Sequence, residues 1–72
     1  MVNPFVISDK NSRSSKIKNA VLKRIKSHSL SRSNLIIVIG GDGFMLETLK
    51  KYNKYKKTFL WNKFGKLWFP HE

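Results

Sequence analysis

Leu35-Ile36-Ile37-Val38-Ile39 is an unbroken apolar run, closed at once by Gly40-Gly41-Asp42-Gly43. A strand with one wet face alternates apolar and polar residues. A continuous β-branched run instead predicts a strand covered on both faces, as in a parallel sheet packed under helices. The rest of the chain must therefore supply the covering layers. Phe44 to Tyr55 reads as one of them: Met45, Leu49 and Tyr52 recur at i, i+4 and i+7. Glu47 near its start and Lys50, Lys51 and Lys54 toward its end suit the helix dipole.

Upstream, Phe5-Val6-Ile7-Ser8 after Pro4 predicts a first strand. Ser14 or Ser15 can cap a helix running to about Ser27, with Ile17, Val21, Leu22 and Ile25 on one face beside Ala20. The serine-rich stretch from Ser27 to Ser33 closes it. Downstream, Thr58-Phe59-Leu60-Trp61 predicts a third strand. Residues 62–72, with Phe64, Gly65, Trp68, Phe69 and Pro70 at no regular period, read as irregular. The order β-α-β-α-β predicts an α/β fold with right-handed crossovers: the start of a parallel sheet in an incomplete, Rossmann-like three-layer domain.

Size limits what this can be. Seventy-two residues make one small domain, and such a domain buries only about 60% of its unfolded surface. A self-sufficient enzyme with two lobes does not fit. At 40% hydrophobic and 12% aromatic residues the chain is too apolar for a disordered tail. It has no cysteine, so disulfides and thiolate metal sites are excluded. No apolar run approaches the roughly 20 residues of a membrane span, and the N-terminus lacks a signal-peptide pattern. The expectation is a cytoplasmic protein with no membrane partner. The net charge of +11 suits an anionic partner. Yet 12 of the 15 cations are lysine, and asparagine and isoleucine occur six times each, which AT-rich coding produces whatever the function.

The glycine string carries the chemistry. Glycines let a ligand approach the backbone closely, and free N–H groups at a helix N-terminus receive phosphate. A carboxylate in such a loop repels phosphate. It makes sense if Asp42 takes a proton from a hydroxyl or helps place a cation. Together these point to phosphoryl transfer to an alcohol. A Walker A string is absent, and the third glycine of the dinucleotide fingerprint would fall on Leu46.

The stretch from Asn34 through Gly40-Gly41-Asp42-Gly43 to Leu49 resembles the N-terminal signature of NAD kinases: a hydrophobic strand, G-G-D-G-T, an apolar pair and a helix. Diacylglycerol and sphingosine kinases and phosphofructokinases share a related loop. The strand at Phe5 to Ser8 and the helix after it also suit the family's start, so the resemblance covers residues 4–60. It implies that Asp42 accepts the proton of the adenosine ribose 2′-hydroxyl of NAD. It also implies that Gly40, Gly41, Gly43 and the position of Phe44 line the phosphates. ATP or polyphosphate would be the donor with a divalent cation such as Mg²⁺, and the intact family protein could be a homo-oligomer. The family's threonine after the loop is Phe44 here. Asn62 and Gly65 echo a later G-[IV]-N-x-G-x-L-G-F-L segment with a spacing one residue too long, and Trp68 stands where its second glycine belongs. The family's N-E motif and C-terminal β-rich domain have no counterpart in these residues. The expectation is residues 1–60 as the N-terminal part of a kinase-like domain, residues 61–72 as a divergent tail of a truncated or frame-disrupted member, and no kinase activity in the isolated chain.

Other residues carry weaker signals. His28 and His71 lack partners at ligand spacing, so no metal site is expected. Asp9 follows a strand, where a turn role outweighs a ligand role, and Glu47 reads as an exposed first-turn acid. Trp61, Trp68 and Phe69 would pack on a partner domain in an intact protein. A basic, non-catalytic fragment, gripping RNA or single-stranded DNA through lysines and Tyr52, Tyr55, Trp61 and Trp68 or serving as an interaction fragment, is the alternative. No RNA-binding signature supports it and it leaves the glycine loop unexplained, so nucleic acid is not the expected partner.

Overall fold

The computed structural model describes residues 2–68. Phe69, Pro70, His71 and Glu72 lie outside them. Four strands and two helices form an α/β fold: β1 (Pro4–Ser8), α1 (Ser12–Leu22), β2 (Leu35–Ile39), α2 (Asp42–Tyr52), β3 (Thr58–Lys63) and β4 (Lys66–Trp68). Short 3-10 turns at Leu30–Arg32 and Asn53–Tyr55 precede β2 and β3. The sheet order is β1-β2-β3-β4. The first three strands are parallel, and β4 folds back antiparallel on β3.

Strand β2 is central, and both its faces are covered. Ile36 and Val38 point one way, packing with Met45 and Phe59 against Phe44, Leu49 and Tyr52 of the α2 layer. Ile37 and Ile39 point the other way, packing with Val6 against Ile17 and Val21 of α1. Ile36, Val38 and Ile39 are wholly buried, each contributing roughly 1.5–3 kcal/mol of apolar burial. The continuous apolar run follows directly from this double coverage.

The connections β1-α1-β2 and β2-α2-β3 step across the sheet in the same direction, but α1 and α2 cover opposite faces. The segment between α1 and β2 changes faces. After α1 the chain passes along the outer edge of β1. There the His28 N–H donates to the Pro4 carbonyl at 2.7 Å, and the Val6 N–H donates to Ser27 Oγ at 3.0 Å. Leu30 then packs on the α2 face. An edge that would otherwise invite pairing is thereby covered.

Helix α1 starts earlier than its serines predict. Asn11 is the cap, its side chain accepting from the Ser14 N–H at 2.8 Å. Ser14 becomes a wholly buried residue of the first turn. The helix ends at Leu22, so Lys23 to Lys26 and the exposed Ile25 lie beyond it. The irregular reading of residues 62–72 is corrected where it falls on described residues. Strand β3 continues through Asn62 and Lys63, and a two-residue turn at Phe64-Gly65 leads into β4. Both turn residues have positive φ, 51° and 99°, the type I′ geometry of tight hairpins. Phe64 is an unusual occupant, and the Arg13 guanidinium lies 4.3 Å from its ring centroid.

Candidate functional site

The carboxyl ends of parallel strands, where helices begin, are where α/β proteins place ligands. Here the ends of β1, β2 and β3 bring together Asp9, the Gly40–Gly43 loop and Asn62-Lys63. The loop is short because α2 starts inside it: Asp42 and Gly43 already belong to the first helical turn. Gly41 is the N-cap and supplies no side-chain hydrogen bond, so no side chain caps the first-turn N–H groups.

Gly40 is clamped on both sides. Its N–H donates to the Asn62 carbonyl at 3.2 Å, and its carbonyl accepts from Trp61 Nε1 at 2.9 Å. A Cβ added there would meet Asp9 Oδ2 at 2.8 Å and Phe44 Cδ2 at 2.9 Å. Packing alone therefore demands this glycine. Gly43 differs: a Cβ there meets nothing within 4 Å, and its φ is not positive. At Gly41 the nearest neighbour is the Phe64 ring at 3.9 Å. Neither crowding nor a left-handed backbone requires these two glycines.

Asp42 is exposed, and its carboxylate pairs with the Lys63 ammonium at 2.8 Å. Both border an open groove of about 660 Å³ between α2 and the β3-β4 hairpin, with Met45, Leu46, Leu49, Trp61 and Trp68 as its apolar walls. A ligand entering it meets a carboxylate and an ammonium at one end and two indoles along the side. Among the described residues, no group of three His, Cys, Asp or Glu side chains could hold a metal ion. A dedicated cage is thus missing. Asp42 can still contribute to a Mg²⁺ brought in on a donor's phosphates, since that ion is commonly held by one or two carboxylates plus substrate oxygens.

The other sequence candidates fall as follows. Phe44 is half-buried and turns into the α2 face of the core; it does not offer a polar group to the loop. Asn62 is buried, and its Oδ1 accepts the Gly65 N–H at 2.7 Å, holding the hairpin turn. Asp9 makes an Asx-type turn, Oδ1 accepting the Asn11 N–H at 3.2 Å. Its carboxylate also borders a second cavity of about 710 Å³ beside α1. Glu47 is exposed on α2, and His28 lies at the β1 edge, away from the loop. Lys63 was not foreseen. Ending the third strand at Trp61 hid it, whereas its register beyond Ile39 places it beside the loop.

Fold and site together define an α/β protein with a glycine loop and an exposed carboxylate at a helix N-terminus. The chain matches no protein-family model, no curated protein and no solved structure.

Proposed function

We propose that the chain is the nucleotide-binding start of a Rossmann-like, NAD kinase-like phosphotransferase. The family reaction moves a phosphoryl group from ATP or polyphosphate to the ribose 2′-hydroxyl of NAD. One observation carries the reading. Gly41 and Gly43 serve no packing or backbone need, yet they occupy the uncapped start of α2 beside an exposed carboxylate. Alanine would be the better helix former at Gly43. Glycines that the fold does not require leave room for a ligand to reach the backbone.

In this reading the N–H groups of the first turn of α2 hold phosphate oxygens. Lys63 balances the added negative charge. In the intact family's reaction Asp42 would take the 2′-hydroxyl proton as that oxygen bonds to the donor's terminal phosphorus and the bridging P–O bond to the departing ADP or shortened polyphosphate breaks, the proton passing later to water. Asp42 would help hold a Mg²⁺ arriving with the donor, which would neutralise charge on its phosphates. The groove is open, with a single carboxylate at its mouth, so these residues bind nucleotide without turnover.

Amide NMR titration with ADP, NAD and pyrophosphate tests the proposal. Shifts confined to residues 40–46 and 63 are expected, and Gly43→Val should abolish them while the protein stays folded. Shifts absent from the loop, or unchanged in Gly43→Val, overturn the reading. Asp42-dependent NADP formation by the purified chain would overturn the statement that it does not turn over.

A further inference from the structure

The excess positive charge is not spread evenly. Asp9 and Asp42 sit at the carboxyl edge of the parallel strands, and Glu47 lies midway along α2. Among the described residues, the opposite edge collects cations and no acid. Helix α2 runs down to it and ends in Lys50 and Lys51. The turn and connection that follow add Lys54, Lys56 and Lys57, and the turn before β2 adds Arg32. Lys57 Nζ is fixed there by donating to the Ser33 carbonyl, so the two basic segments are in contact. Among the described residues, the one ion pair is Lys63–Asp42, at the far end. None of these edge cations is paired with an acid among the described residues.

Two tyrosines lie among them. The rings of Tyr52 and Tyr55 are 6.1 Å apart. Lys51 and Lys54 each place an ammonium 5.5 Å from a tyrosine centroid. Tyr55 is 45% exposed, presenting a ring at the surface. Beside it is a hollow of about 300 Å³ bordered by Asn53, Lys56, Lys57 and Thr58, with Leu49 and Phe59 as its apolar part. The tryptophans do not belong to this surface; they line the groove of the glycine loop.

We propose that this edge is a binding surface for single-stranded nucleic acid, separate from the glycine-loop site. Uncompensated lysines track phosphates, the hollow beside Lys56 and Lys57 receives one of them, and Tyr55 stacks a base. An anionic membrane fits less well. Its headgroups would satisfy the lysines, but the exposed large apolar side chains other than Tyr55 lie off the 50–57 segment: Leu46, Leu67 and Trp68 at the groove and hairpin, Val2 before β1, and Leu22 and Ile25 at and after the end of α1.

The test uses the full chain and a labelled oligouridine of about 12 nucleotides, a length within the usual site sizes, with affinity read by fluorescence anisotropy across a salt series. About four phosphate contacts predict a log–log salt slope near −3, at roughly 0.7 per contact. The triple variant K51Q/K54Q/K56N should reduce that slope by about 2. Tyr55→Ala should weaken binding about fivefold or more at constant slope. A control triple on α1 and before it, K10Q/K16Q/K18Q, should leave the slope nearly unchanged. The proposal is overturned if the control triple acts as strongly as the edge triple, or if Tyr55→Ala has no effect. It is also overturned if phosphatidylserine vesicles bind more tightly than the oligonucleotide through the same lysines.

Discussion

Substituting Gly40 by alanine separates the two reasons a glycine can stand in such a loop. The added methyl would sit 2.8 Å from Asp9 Oδ2 and 2.9 Å from Phe44 Cδ2. Both neighbours resist. Moving the Asp9 carboxylate loosens the Asx turn whose Oδ1 holds the Asn11 N–H, a bond contributing about 0.5–1.5 kcal/mol. Moving the Phe44 ring disturbs its packing on the Ile36 and Val38 layer. Overpacking of this kind costs about 1–3 kcal/mol. At about 0.05–0.15 kcal/mol per residue, a domain this size has roughly 4–11 kcal/mol to lose. A 2 kcal/mol loss lowers Tm by about 8–16 °C. Urea and thermal unfolding followed by circular dichroism should show it. The cost should shrink by about 1 kcal/mol in an Asp9→Ala or Phe44→Ala background, since each removes one of the colliding groups. An equal cost in all three backgrounds, within about 0.5 kcal/mol, refutes crowding as the reason for Gly40.

Phe59→Ala removes a buried ring from the Ile36–Val38–Met45 cluster, and should cost about 3–5 kcal/mol by urea titration. Asp42→Asn should leave stability within about 1 kcal/mol of wild type, because its pair with Lys63 is exposed. The same change should tighten pyrophosphate binding by removing a like charge, which isothermal calorimetry would read. Phe64→Asn should stabilise by about 1 kcal/mol in an Arg13→Ala background, where a better left-handed residue replaces phenylalanine. In the wild-type background thermal melts should show a smaller gain, offset by loss of the Arg13 contact.

The central strand was legible because burial on both faces leaves a continuous apolar mark. The assignment of helices to faces was not legible, and β2 shows why. Ile37 and Ile39 face α1 while Ile36 and Val38 face α2, and all four are equally apolar. Nothing in their pattern says which face receives which helix. The start of α1 was blurred by a choice of caps: Asn11, Ser12, Ser14 and Ser15 can all serve, and only the fold shows Asn11 accepting the Ser14 N–H. The β3-β4 hairpin was missed because Phe64-Gly65 lacks the Asn-Gly or Asp-Gly pair that announces a type I′ turn. That miss also hid Lys63, one residue past the buried Asn62. The glycine loop itself was legible as a sharp turn between a buried strand and a helix, with Asp42 in it. What sequence could not show is that its glycines divide, Gly40 held by packing and Gly43 open.

Strand order in this sheet equals chain order, so assembly never requires a strand to insert between two already paired. Each new strand adds to the edge left by the one before it, and the N-terminal βαβ unit can close while later residues are still emerging from a ribosome. Loop closure stays local at every step, which favours rapid folding. The same order means that any increment of chain past a completed strand has a template waiting for it.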